Sequence, residues 1–90
     1  PRIRSPEPGL DAVLLPGVPP EQQEVPLEAD SQSSAPLDWY VDGEWVGRAL
    51  SRERAWWTPT LGRHEVVVMD AEGRVSSQDL VVRPSDRGGF

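Results

Sequence analysis

Prolines and glycines are spread so evenly along this chain that a long helix has no room to form. Ten Pro and eight Gly are distributed over 90 residues, and every 20-residue window contains at least one of them. Proline removes a backbone donor and clashes with the preceding helical turn, while glycine must surrender extra backbone entropy. No stretch shows sustained helical periodicity either. What remains is a series of short extended segments separated by turns, which predicts an all-β chain.

The segments can be read one by one. Arg2 to Ser5 is a short first strand, cut off by Pro6, Pro8 and Gly9. Ala12 to Leu15 is a second, and the prolines around it place it at a sheet edge, where a missing N–H does little harm. Gln22 to Ala29 alternates cleanly, with Gln23, Val25, Leu27 and Ala29 on one face and Gln22, Glu24, Pro26 and Glu28 on the other. That period of two marks a strand with one buried and one wet face. Leu37 to Asp42 follows, placing Trp39 and Val41 together.

Asp42-Gly43 is the strongest turn signal, because a type I′ hairpin needs positive φ at both central residues. Glu44 to Leu50 returns from it with Trp45 and Val46, and Arg54 to Thr58 is a further extended piece. His64 to Asp70 carries Val66, Val67, Val68 and Met69 in succession, which predicts a central strand covered on both faces, or a bulge. Asp70-Ala71-Glu72-Gly73 is the next tight turn, with Gly73 suited to a left-handed position. Val75 to Arg83 is the last strand, and 84–90 reads as a flexible C-terminal tail.

Seven or eight strands at intervals of roughly 8 to 12 residues predict an immunoglobulin-like antiparallel β-sandwich. Residues 1–83 then form a single domain, since 90 residues support one core at most. Trp39 takes the place of the large core residue on the third strand of such a sandwich. Val25, Leu27, Val41, Val66 and Val68 surround it. No disulfide accompanies it, because the chain has no cysteine.

Charge narrows the function classes. The nine basic residues are all arginine, and 15 acidic residues bring the formal charge to −6. Scattered cations on an acidic chain do not make the clustered face that nucleic acid or an anionic membrane surface requires. No run of about 18 apolar residues is present, so this segment is not expected to insert in a bilayer. The chain begins at Pro1, which reads as a fragment or processed product whose targeting segment lies elsewhere.

The segment Asp38-Trp39-Tyr40-Val41-Asp42-Gly43, then Trp57 with Pro59, then Gly62-Arg63-His64-Glu65-Val66 and Val68-Met69-Asp70-Ala71-Glu72-Gly73-Arg74, resembles the C-terminal domain family of penicillin-binding protein 1C. The opening Ile3-Arg4-Ser5-Pro6-Glu7-Pro8-Gly9 and Val25-Pro26-Leu27-Glu28-Ala29 are similar to the same family's start. The resemblance implies a periplasmic accessory domain of a membrane-anchored glycosyltransferase/transpeptidase. Such a domain would pack on the transpeptidase domain of its own parent chain or recruit a periplasmic protein. A peptidoglycan-binding module and a purely structural spacer are the alternatives. The transpeptidase needs a Ser-x-x-Lys motif and a Lys-Thr-Gly strand, and a chain without lysine can hold neither.

The chemistry-bearing residues are few. His64 is the only histidine. A catalytic pairing with Asp42, Asp70 or a serine is weighed against a buried, corner-like role bonding to upstream backbone. The structural role is the expectation. Trp45, Trp56, Trp57 and Tyr40 are the candidate surface contacts, since adjacent residues on a strand face opposite ways and an outward indole offers a stacking platform. Asp42, Gly43, Asp70 and Gly73 are assigned to turns. Arg48, Arg52 and Arg54 read as a solvated stretch balancing Glu44 and Glu53. No metal, no cofactor and no catalytic residue is expected.

Overall fold

Eight strands follow one another in the computed structural model, which describes residues 1–85: β1 (Arg2–Ser5), β2 (Ala12–Leu14), β3 (Val25–Asp30), β4 (Leu37–Val41), β5 (Glu44–Ala49), β6 (Arg54–Trp57), β7 (Gly62–Met69) and β8 (Val75–Pro84). They form two sheets, one ordered β1-β3-β6 and the other β2-β8-β7-β4-β5. All pairings are antiparallel except one: β2 runs parallel to β8. The immunoglobulin-like sandwich expected from the sequence is thus present, with one parallel pairing at a sheet edge. A strand carrying prolines on both flanks reaches the sheet from a long loop, not a hairpin, so its direction is free.

The two sheets enclose one core. Leu27, Ala29, Ala55 and Trp57 face inward from the three-stranded sheet. Leu37, Trp39, Val41, Ala49, Val66, Val68, Leu80 and Val82 face them from the five-stranded sheet. Trp39, fully buried, is the largest side chain among them. Val25 packs against this cluster while remaining half-exposed.

Four local departures from the sequence reading have physical causes. First, β3 starts at Val25, because Pro20–Gln22 forms a single 3₁₀ turn. Gln23 therefore lies off the strand, and its amide closes the preceding loop by accepting from Leu15 N–H at 2.7 Å and donating to Val18 O at 2.8 Å. Second, β7 is central in its sheet, yet only Val66 and Val68 are fully buried. Val67 and Met69 are half-buried on the outer face, where Val67 sits opposite Tyr40. Third, β8 extends to Pro84, and Ser85 N–H donates to Leu14 O at 3.1 Å. The rest of the expected tail, 86–90, lies outside the described residues.

The fourth departure is a β-bulge. Tyr40 pairs with Trp45, but Trp39 pairs with Gly47, so Val46 is one residue too many on β5. The extra residue lets Val46 and Gly47 both lean inward and resets the alternation. Arg48 then falls opposite Asp38 on the outside, and Ala49 opposite Leu37 in the core. Gly47 matters because the sheets approach closely here: a Cβ on it would sit 3.4 Å from the Ala55 Cβ.

Candidate functional site

His64 anchors one end of the sandwich. The Asp42-Gly43 turn has φ of 53° and 82°, the left-handed pair that a two-residue hairpin demands. Aspartate tolerates that conformation and brings a carboxylate with it. Asp42 Oδ1 accepts from Glu65 N–H at 2.9 Å, and Oδ2 lies 2.7 Å from His64 Nδ1. The other ring nitrogen, Nε2, lies 2.7 Å from Thr60 O and 3.3 Å from Thr60 Oγ1. Trp57 covers the imidazole edge-to-face at a centroid distance of 4.7 Å.

The order Asp42, His64, Thr60 has the outline of a hydrolase triad, but the bonding is wrong for one. The shorter contact from Nε2 goes to a carbonyl oxygen, so Nε2 is a donor and cannot take the proton of Thr60 Oγ1. The ring is also buried, with Trp57 packed edge-to-face against it. His64 thus ties the hairpin turn to the β6–β7 connection.

Asp70 does similar work at the opposite end. Its buried carboxylate accepts from Glu72 N–H at 3.0 Å and Arg74 N–H at 2.9 Å, and pairs with Arg74 Nε at 2.8 Å. Gly73, at φ of 83°, allows the turn to close with its N–H on Asp70 O. A polar cleft of about 420 Å³ lies beside it, lined by Arg2, Asp30, Arg52, Asp70 and Arg74 among others. Its acids and arginines largely pair with one another: Asp30 meets Arg52, and Asp70 meets Arg74.

Three aspartates are held below the ordinary carboxylate value. The His64 bond, then the Glu65 N–H, lower Asp42; the Arg48 guanidinium, then the Trp45 indole N–H, lower Asp38. Burial pushes Asp70 up, yet the backbone and side-chain bonds from Arg74 and the Glu72 N–H outweigh it, so Asp70 is lowered too. A carboxyl whose folded pKa is depressed stabilises the fold above its unfolded value and loses that contribution as pH falls through the folded one. The urea midpoint is therefore expected to hold from neutral pH down to about the ordinary value of 3.8 and to drop below it. Asp42→Asn and Asp70→Asn should each flatten that acid limb. An unchanged limb in both would show that these bonds do not contribute.

The tryptophans divide as adjacent strand residues must. Trp56 is 49% exposed, whereas Trp57 is 8% exposed and belongs to the core. Trp57 is thereby removed from the candidate surface contacts: β6 pairs with β3 so that Trp57, opposite Val25, points inward. Trp45 is 55% exposed, with its indole N–H donating to Asp38 Oδ1 at 3.0 Å. Tyr40 is half-buried on the outer sheet face.

Trp45 and Trp56 border one cleft. β5 ends one sheet, β6 ends the other, and a shallow cleft of about 410 Å³ lies where they run side by side. It is lined by Glu24, Glu44, Trp45, Val46, Trp56, Trp57 and Thr58, without Tyr40. A second shallow cleft of about 320 Å³ on the other side of Trp56 is lined by Glu21, Gln22 and Glu24. The acids had no local signal in the sequence. Glu24 read as the wet face of a strand, and Glu44 as a partner of nearby arginines. The arginines pair elsewhere: Arg48 with Asp38, Arg52 with Asp30 and Arg54 with Glu28.

Fold and surface together define an immunoglobulin-like sandwich whose most distinctive exposed feature is an aromatic, acidic cleft. A fibronectin(III)-like module of CbhA from Clostridium thermocellum has a similar fold, with a TM-score of 0.67 and 21% identity over 93% of this chain and 96% of that one. The chain belongs to the Penicillin-Binding Protein C-terminus family, which matches residues 1–82. No curated protein matches the chain. No helix among the described residues is long and apolar enough to cross a membrane.

Proposed function

We propose that the chain is a non-catalytic C-terminal accessory domain of a bifunctional peptidoglycan glycosyltransferase/transpeptidase, working in the periplasm through protein contacts. Membership of the Penicillin-Binding Protein C-terminus family supports this reading. The observation that carries the contact role is the exposure of two indoles in one cleft between sheet edges. Exposed aromatic residues gathered at one place are the usual anchors of an interface. The partner surface is the transpeptidase domain of the same parent or another periplasmic protein.

A second reading, a glycan-binding module, is favoured by the flat face of Trp56, on which a sugar ring can stack. Photo-crosslinking separates the two. A benzophenone amino acid at position 56 of the intact penicillin-binding protein is expected to give adducts to protein, within the parent or to a neighbour. The same probe at Val75, exposed on the far end of the sandwich, serves as the control. Adducts to peptidoglycan alone would favour the glycan reading, and none above the control would overturn both.

A further inference from the structure

We propose that the Trp45–Trp56 cleft receives the cationic side chain of a partner protein, a lysine or arginine carried on an exposed segment. The proposal rests on the contact role above and names its chemistry.

The charge of the surface carries it. Among the described residues, Arg4, Arg48, Arg52, Arg54, Arg63, Arg74 and Arg83 each lie against a carboxylate. Of those carboxylates only Asp38 reaches a wall of the cleft, through the Trp45 indole N–H, and Arg48 already neutralises it. Arg2, the other described arginine, lines the polar cleft at the opposite end. Glu21, Glu24 and Glu44 therefore face no cation among the described residues; Glu24 and Glu44 line the cleft with both exposed indoles, and Glu21 lies beside Trp56 in the adjoining one. Glu24 is positioned by Thr58, whose hydroxyl donates to it at 3.2 Å.

Tryptophan is the best aromatic partner for a cation, because the face of its ring carries the negative end of a quadrupole. Two indoles with unpaired carboxylates at the rim form an incomplete cage for an ammonium or guanidinium group. The same carboxylates repel an anionic ligand. The position suits a chain: β5 and β6 are the terminal strands of their sheets, so an extended segment can lie along the cleft without displacing a strand.

The test uses the 90-residue chain and a capped pentapeptide with arginine at alternate positions and serine between. Trp45 and Trp56 indole N–H resonances are expected to shift on titration, while that of the buried Trp39, which does not line the cleft, stays still. Binding should weaken with added salt. Trp56→Ala and Glu44→Gln should each weaken it about threefold or more, the scale of an exposed cation–π contact or ion pair. Both positions are exposed, so the variants should keep the parent far-UV spectrum. Equal shifts from the matching glutamate peptide would overturn the proposal, as would unchanged affinity in Glu44→Gln. Shifts from a neutral chitin disaccharide with none from the arginine peptide would assign the cleft to sugar stacking instead. Protein adducts at position 56 combined with a silent arginine peptide would leave the contact role standing and remove only the cationic partner.

Discussion

Replacing Trp39 by alanine is expected to cost about 3–5 kcal/mol, the range for emptying a core aromatic site. Trp39 is completely buried on β4, between Val68 on β7 and Gly47 on β5, on its sheet's inner face. Its indole Nε1 is buried without a hydrogen-bond partner. What the side chain contributes is thus packed apolar area, and none of it is returned by a polar bond. Domains of this size have about 5–15 kcal/mol of net stability, so the loss could remove most of it. Urea denaturation followed by far-UV circular dichroism measures it. A cost below about 1 kcal/mol would mean that the sandwich is not built around this residue.

Trp57→Ala should cost about as much, about 3–5 kcal/mol, while Trp56→Ala beside it should stay within about 0.5 kcal/mol. Trp57 closes the core of the three-stranded sheet and covers the His64 ring, so its removal opens a cavity against both. Trp56 leaves half of its area in solvent and fills no part of the buried core. The same denaturation series decides the pair. Similar costs for the two would contradict the inward and outward assignment, and with it the cleft on which the functional reading stands.

Much of the fold was legible before any coordinates. Alternation around Val25, Leu27 and Ala29 marked a half-buried strand, and the structure buries Leu27 and Ala29. Asp42-Gly43 marked a hairpin because few residue pairs accept two positive φ angles in a row. These signals are local: each depends on the backbone preferences of a handful of neighbouring residues. The parallel pairing of β2 with β8 and the bulge at Val46 gave no such signal. The first arises from the meeting of strands far apart in the chain, and the second goes with the close approach of the β4–β5 hairpin to β6 of the facing sheet.

The candidate site divides along the same line. The Trp56-Trp57 pair showed from sequence alone that one indole should face out, since side chains alternate across a strand. Which one faces out depends on the pairing of β6 with β3, a partner far away in the chain. His64 could be read as a corner residue, but its bonds to Asp42 and Thr60 come from the meeting of a hairpin tip and a loop.

The even spread of proline and glycine determined by itself that this chain would be short strands joined by turns, because each breaker acts on its own few residues. The gathering of Glu24, Glu44, Trp45 and Trp56 around one cleft was decided only by the tertiary structure. Glu44 and Trp45 lie on one sheet, Trp56 on the other and Glu24 just before β3, and nothing short of folding the sheets together brings them around one cleft.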